Sequence, residues 1–182
     1  MLDLAFNYQE QLQERWRTAC TEFKNIYALT TRYTEYTIPI KEDDWEKIQM
    51  VSVNDEGEVL GYFEADITQT SNVCHSMLVI SFTQNSRRFI QDMFAFIHHL
   101  LCVRNYSKIG WTVVPENTAA VRLYDRAVRE LGARYVGTYK KHTVLRTGKI
   151  VDLDIYELLR EDYLEAAASH PQHGKFIPAI YT

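Results

Sequence analysis

The chain has 182 residues, 46% hydrophobic and 13% aromatic, which suits one domain with a full core rather than a disordered or low-complexity protein. Its formal net charge of −4 and pI near 5.9 argue against nucleic-acid binding through global basicity. It has no apolar run of the ~18 residues a membrane span needs, and Met1-Leu2-Asp3-Leu4 lacks the basic start of a secretory leader.

Leu2 to Phe6 reads as a short first strand. Asn7, with Glu10 three residues on, reads as the capped start of a helix carrying Leu12, Trp16, Ala19, Cys20 and Phe23 at helical spacing, through about Ala28. Residues 30–40 are irregular and rich in Thr and Tyr, and Glu42 to Lys47 suggests a turn or two of helix. Met50–Val53 and Val59–Thr68 are strands joined by the hairpin link Asn54-Asp-Glu-Gly57. In the second, Gly61, Phe63, Ala65 and Ile67 share one face and Tyr62, Glu64 and Asp66 the other. Cys74–Phe82 is a third strand, apolar from Met77 to Ile80 as a central strand is.

Phe89, Met93, Phe96, Ile97, Leu100 and Leu101 mark an amphipathic helix starting near Ser86. A strand at Ile109–Val114 follows. Then comes a helix capped by Asn117 and stopped by Gly132, with Val121, Tyr124, Ala127, Val128 and Leu131 inward. Asn117 and Tyr124 are seven apart, about two turns, and share a face. Two strands, about Arg134–Leu145 and Ile150–Leu158, turn at Thr147-Gly148, and a frayed helix from Tyr163 leads into a tail with Pro171 and Pro178. This order predicts an α+β (mixed α/β) layer fold, with one domain over 1–163 and a tail over 164–182. Cys20, Cys74 and Cys102 are odd in number and form no C-x-x-C pair, which fits free thiols in a cytoplasmic setting better than disulfides or a metal site.

Pro115-Glu116-Asn117-Thr-Ala-Ala-Val-Arg-Leu-Tyr124, followed by Leu131-Gly-Ala-Arg-Tyr-Val-Gly-Thr138, resembles the second half of the acetyl-CoA-binding core of the GNAT N-acetyltransferase superfamily. Thr147 to Asp162 resembles the final strand of the branch that includes ribosomal-protein acetyltransferases. The likeness covers residues 50 to 163 and is most specific over 111–160. It implies a mostly antiparallel central sheet with helices on both faces, and acetyl-CoA as co-substrate with no metal. It also implies a splay beside the strand 77–82, whose free edge pairs with the pantetheine arm and places Leu78 and Ile80 among the cofactor contacts. The family's phosphate loop, R/Q-x-x-G-x-G/A, falls on Asn85-Ser86-Arg87-Arg88-Phe89-Ile90, and both glycine positions are taken, by Arg88 and Ile90. Such a loop binds diphosphate chiefly through backbone N–H groups at a helix start, where glycine allows the closest approach.

The resemblance makes Tyr124 the acid that protonates the CoA sulfur, and Asn117 a cofactor contact; by periodicity alone they are a core tyrosine and a helix cap. Asn85, Ser86, Arg87 and Arg88 are the expected diphosphate cradle; a pair of Arg at a helix start is otherwise simply solvated. Glu64 is the first candidate for general base, with Asp66 and His75 as others; each reads equally as a paired or solvated polar residue. The adjacent His98 and His99 face different directions and make a poor metal pair. The expected acceptor is a primary amine on a protein N-terminus, a lysine, a polyamine or a small molecule. A non-catalytic protein on the same scaffold, and a nucleic-acid-binding or -modifying protein using Arg87, Arg88, Lys140 and Lys141, are the alternatives; a homodimer is left open.

Overall fold

Phe63, Ala65 and Ile67 alternate with Tyr62 and Glu64, and a strand with both sets buried must be covered on both sides. The computed structural model describes residues 1–29, 36–42 and 44–169. Among these, seven strands form one sheet: β1 (Leu2–Leu4), β2 (Lys47–Val53), β3 (Val59–Thr68), β4 (Val73–Ser81), β5 (Lys108–Val113), β6 (Arg134–Val144) and β7 (Ile150–Leu159). Their order is β1-β2-β3-β4-β5-β7-β6, and every neighbouring pair is antiparallel except β4–β5. The α-helices among the described residues are α1 (Gln9–Thr21), α2 (Arg87–His98), α3 (Thr118–Leu131) and α4 (Arg160–Ser169). The mixed α/β sheet with helices on both faces is the architecture the sequence predicts.

Leu12, Trp16, Ala19 and Cys20 of α1 pack on Val51, Tyr62, Leu78 and Ile80. On the opposite face, Phe63, Ala65 and Met77 meet Phe89, Met93 and Phe96 of α2, with Ala127 and Leu131 of α3 further along. Phe63 stacks on Phe89 and Phe96, with centroids 5.1 and 5.4 Å apart. Full burial of each such ring stabilises the fold by roughly 1.5–3 kcal/mol. Phe89 reaches β3 over Gly61: a Cβ there would sit 2.2 Å from the Phe89 ring. This contact fixes the start of α2 above the sheet.

Several boundaries differ from the sequence reading. Residues Ala5–Tyr8 form a 3-10 turn, and α1 starts at Gln9 without a side-chain cap. Asn7 is not the cap; its amide lies 3.4 Å from the Asp3 carboxylate and donates to it. The helix ends at Thr21, where Glu22 turns extended (ψ 130°) and Asn25 donates to the Ala19 carbonyl. Residues 44–46 are not helical, and Lys47 already belongs to β2 because it pairs in register with Asp66. Val128 is 36% exposed rather than inward, since Ala127 and Leu131 take the buried positions of α3. Of the expected irregular segment at 30–40, residues 30–35 lie outside the described residues, as does the part of the expected 164–182 tail beyond Ser169.

Candidate active site

β4 and β5 are in register only at Val73–Lys108 and Cys74–Ile109. Gly110 permits this close start, since a Cβ there would lie 3.3 Å from the His75 carbonyl oxygen. Beyond it β5 stays paired with β7 as far as Val113 while its register with β4 ends. The strands part around a cavity of about 290 Å3, lined by Ser76 and Leu78 of β4, Thr112 of β5, Asn117 and Tyr124 of α3, Tyr27, and His142 of β6.

The helix α3 brings Asn117 and Tyr124 to this cavity together. Asn117 Oδ1 accepts from the Ala120 N–H at 3.3 Å, so it is a helix cap, and its amide N–H groups have no partner among the described residues. Gly132 ends the helix with φ +80°, a left-handed stop. The Tyr124 ring packs between Trp111 and Tyr156, at 5.5 and 5.7 Å. Burial, and then the neighbouring Tyr156, push its hydroxyl pKa up to about 12. The phenol therefore holds its proton across the neutral range.

A second depression, of about 520 Å3, lies where β4 runs into α2 and is lined by Ser81, Thr83, Asn85, Ser86, Arg87 and Phe89, among others. Asn85 is left-handed (φ 53°). Ser86 Oγ accepts from the Phe89 N–H at 3.2 Å, which leaves the Arg87 and Arg88 N–H groups of the first turn without partners among the described residues. The exposed Arg87 likewise has no ionic partner there, whereas Arg88 donates to Asp55 at 2.7 Å. Ser76 to Val79 border the cavity and Ser81 borders this loop, so one strand edge joins the two hollows.

Glu64 is set apart from the cavity lining. It is 7% exposed and accepts from Lys47 at 2.8 Å, Tyr62 at 2.7 Å and Gln49 at 3.3 Å. Lys47 also donates to Asp66 at 2.6 Å. Desolvation pulls the Lys47 pKa down, but the hydrogen bonds to Asp66 and Glu64 outweigh it and the net shift is upward. Leu78, opposite Glu64 in register, reaches the cavity; the Ile80 side chain is buried under α1. His75 bonds Thr68 at 3.1 Å in a separate hollow with Asp66 and Trp45. Lys140 of the expected basic patch pairs with Asp152 at 2.9 Å. Burial lowers the pKa of both His98 and His99. No group of three or more His, Cys, Asp or Glu side chains among the described residues could hold a metal ion. No helix among them is long and apolar enough to cross a membrane.

His142 is the cavity residue that sequence periodicity misses. Tyr139 and His142 are three apart and in a regular strand would face opposite ways. The β6–β7 register shifts between Tyr139 and Thr143, and Lys141 takes a positive φ of 50°. Such a bulge re-aims the residues after it. Here it stacks the His142 ring on Tyr139 at 4.6 Å. The Lys-Lys-His run is the only trace of this in the sequence, and it reads equally as a solvated face.

No family model and no curated protein sequence matches the chain. Solved structures do match. The spermidine N-acetyltransferase of Vibrio cholerae, crystallised with CoA and spermine, superposes with a TM-score of 0.71 at 16% identity, covering 90% of this chain and 97% of that one. The spermidine/spermine N-acetyltransferase SpeG of the same organism, crystallised with manganese ions, gives 0.58 at 18% identity over 67% and 70%. At these identities the likeness shows the fold alone, the one these spermidine N-acetyltransferases share.

Proposed function

We propose that the protein is an N-acetyltransferase moving an acetyl group from acetyl-CoA to a primary amine. The observation that carries this is the opening between β4 and β5 with Tyr124 and Asn117 on its wall. Half of β4 has an open backbone edge there, which an extended amide-containing arm can pair with from Leu78 to Ile80, as a further strand pairs with an edge. At its far end the Arg87 and Arg88 N–H groups, the Asn85–Ser86 turn and the Arg87 guanidinium, unpaired among the described residues, favour a diphosphate. The Arg88 side chain is held by Asp55, so the residue in the first glycine position of the motif contributes its backbone rather than filling the hollow.

Tyr124 is the acid. A phenol that stays protonated to about pH 12 keeps its proton until a thiolate forms beside it, then donates it. Asn117 offers its free amide N–H groups at the helix mouth. Glu64 and Asp66, both bonded to Lys47, put carboxylates on the strand beside β4, which favours a cationic acceptor. Residues 147–162 resemble the ribosomal-protein branch, while the solved enzymes of this fold act on spermidine; protein amines and polyamines are therefore the first acceptors to try.

The test combines two measurements on the purified chain. Millimolar CoA should raise the melting temperature, since a ligand at 100 times Kd adds about 2.7 kcal/mol. Acetyl-CoA with spermidine, an N-terminal peptide or a lysine peptide should release free thiol. Absence of both effects removes the enzyme reading and leaves a scaffold.

A further inference from the structure

We propose that His142 is the general base that takes the proton from the acceptor amine. The inference rests on the acetyl-transfer reading and assigns a role that the reading leaves open.

An amine reaches the enzyme largely as ammonium and must lose a proton before its lone pair can attack. Among the described residues, the titratable side chains lining the cavity are Tyr27, Tyr124 and His142. Phenols are donors at neutral pH, whereas imidazole is the side chain that exchanges protons between pH 5 and 8. The carboxylates nearest in register, Glu64 and Asp66, are bonded to Lys47 and lie outside the lining.

The backbone around His142 is built to hold it. Lys141 sits at φ 50°, a conformation that a lysine rarely adopts. Asp152 of β7 clamps the bulge twice, accepting from the Lys141 N–H at 2.8 Å and from the Lys140 ammonium at 2.9 Å. Tyr139 supplies a stacking surface for the ring. Among the described residues, the charged and titratable groups around His142 are thus Tyr139, Lys140 and Lys141 on its own strand, Asp152 on β7, Tyr124 on α3 and Tyr27 from the segment after α1. Asp152 is committed to the bulge. His142 is exposed, so a proton it receives can pass to water.

Neutral His142 takes one proton from the acceptor ammonium. The freed nitrogen lone pair forms the C–N bond at the thioester carbonyl carbon, and the C–S bond breaks as the adduct collapses. Tyr124 protonates the sulfur and recovers its proton from the second one the nitrogen sheds. His142 returns the first proton to solvent.

The experiment compares wild type, His142→Gln and His142→Ala with acetyl-CoA and whichever of spermidine, an N-terminal peptide or a lysine peptide turns over fastest, from pH 5.5 to 9.5. The expected loss in kcat/KM at pH 7 is about 10²–10⁴-fold. The wild-type limb between pH 5 and 8 should vanish, and the variant's rate should climb toward the amine's own pKa. Added imidazole should partly restore His142→Ala, and stabilisation by CoA should be unchanged in both variants. A His142→Gln rate within about threefold of wild type overturns the assignment, as does a lowered rate that keeps the wild-type limb. If wild type acetylates no amine, the enzyme reading itself falls and this inference goes with it; turnover with an unaltered profile removes the inference alone.

Discussion

Tyr124 and Asn117 sit two turns apart on one helix, yet they fail differently when altered. Removing the Tyr124 hydroxyl leaves its ring between Trp111 and Tyr156. Tyr124→Phe should therefore fold normally, stabilise with CoA as before, and lose roughly 10²-fold in kcat, as a general acid's removal does. An unaltered kcat takes the acid role from Tyr124. Asn117→Ala removes the acceptor for the Ala120 N–H and should cost about 1 kcal/mol, a fall of roughly 2–4 °C in melting temperature by calorimetry. These two residues were legible because helical spacing fixes which side chains share a face. His142 was not, because it lies where β6 carries two extra residues against β7, between Tyr139 and Thr143, and alternation counted from Tyr139 turns it away from the ring it stacks on.

The same contrast separates the elements. Strands β3 and β7 and helix α3 match their predicted spans closely because alternation, an Asn cap and a Gly stop mark them. The segment after α1 does not, because a tertiary bond from Asn25 to the Ala19 carbonyl ends the helix where apolar periodicity continues to Phe23. Placing α2 depends on a fit that sequence patterning cannot show, Phe89 resting on the bare backbone of Gly61. Gly61→Ala should destabilise by about 1–3 kcal/mol through overpacking. Adding Phe89→Leu should recover part of that loss, so a urea-denaturation cycle should be non-additive; strict additivity would show that the ring does not press on Gly61.

Across the whole molecule, Glu157 of β7 joins two neighbouring strands, accepting from Lys108 of β5 at 3.1 Å and Arg134 of β6 at 2.7 Å. Burial raises its pKa, but these two cations outweigh burial and the net shift is downward. A carboxylate depressed in the fold stabilises above its unfolded pKa of about 4.3, and that contribution is lost as pH falls through the lower folded value. Melting temperatures from pH 6 to 2.5 should fall less steeply for Glu157→Gln than for wild type, the two converging in acid; parallel curves would contradict the linkage. The layer architecture was readable from the order of periodic segments, and its closer identity from the Pro115–Thr138 stretch. The parting of β4 from β5 was expected only through the family resemblance, since composition reads the same whether the strands are paired or parted. That half-open strand has a physical signature of its own. Among the described residues, amides of β4 that point toward β5 past His75 have no strand partner, so they should take up deuterium faster than those facing β3. A molecule that completes the ladder should slow uptake over 77–81 and leave α4 unchanged, making the empty edge a built-in reporter of occupancy.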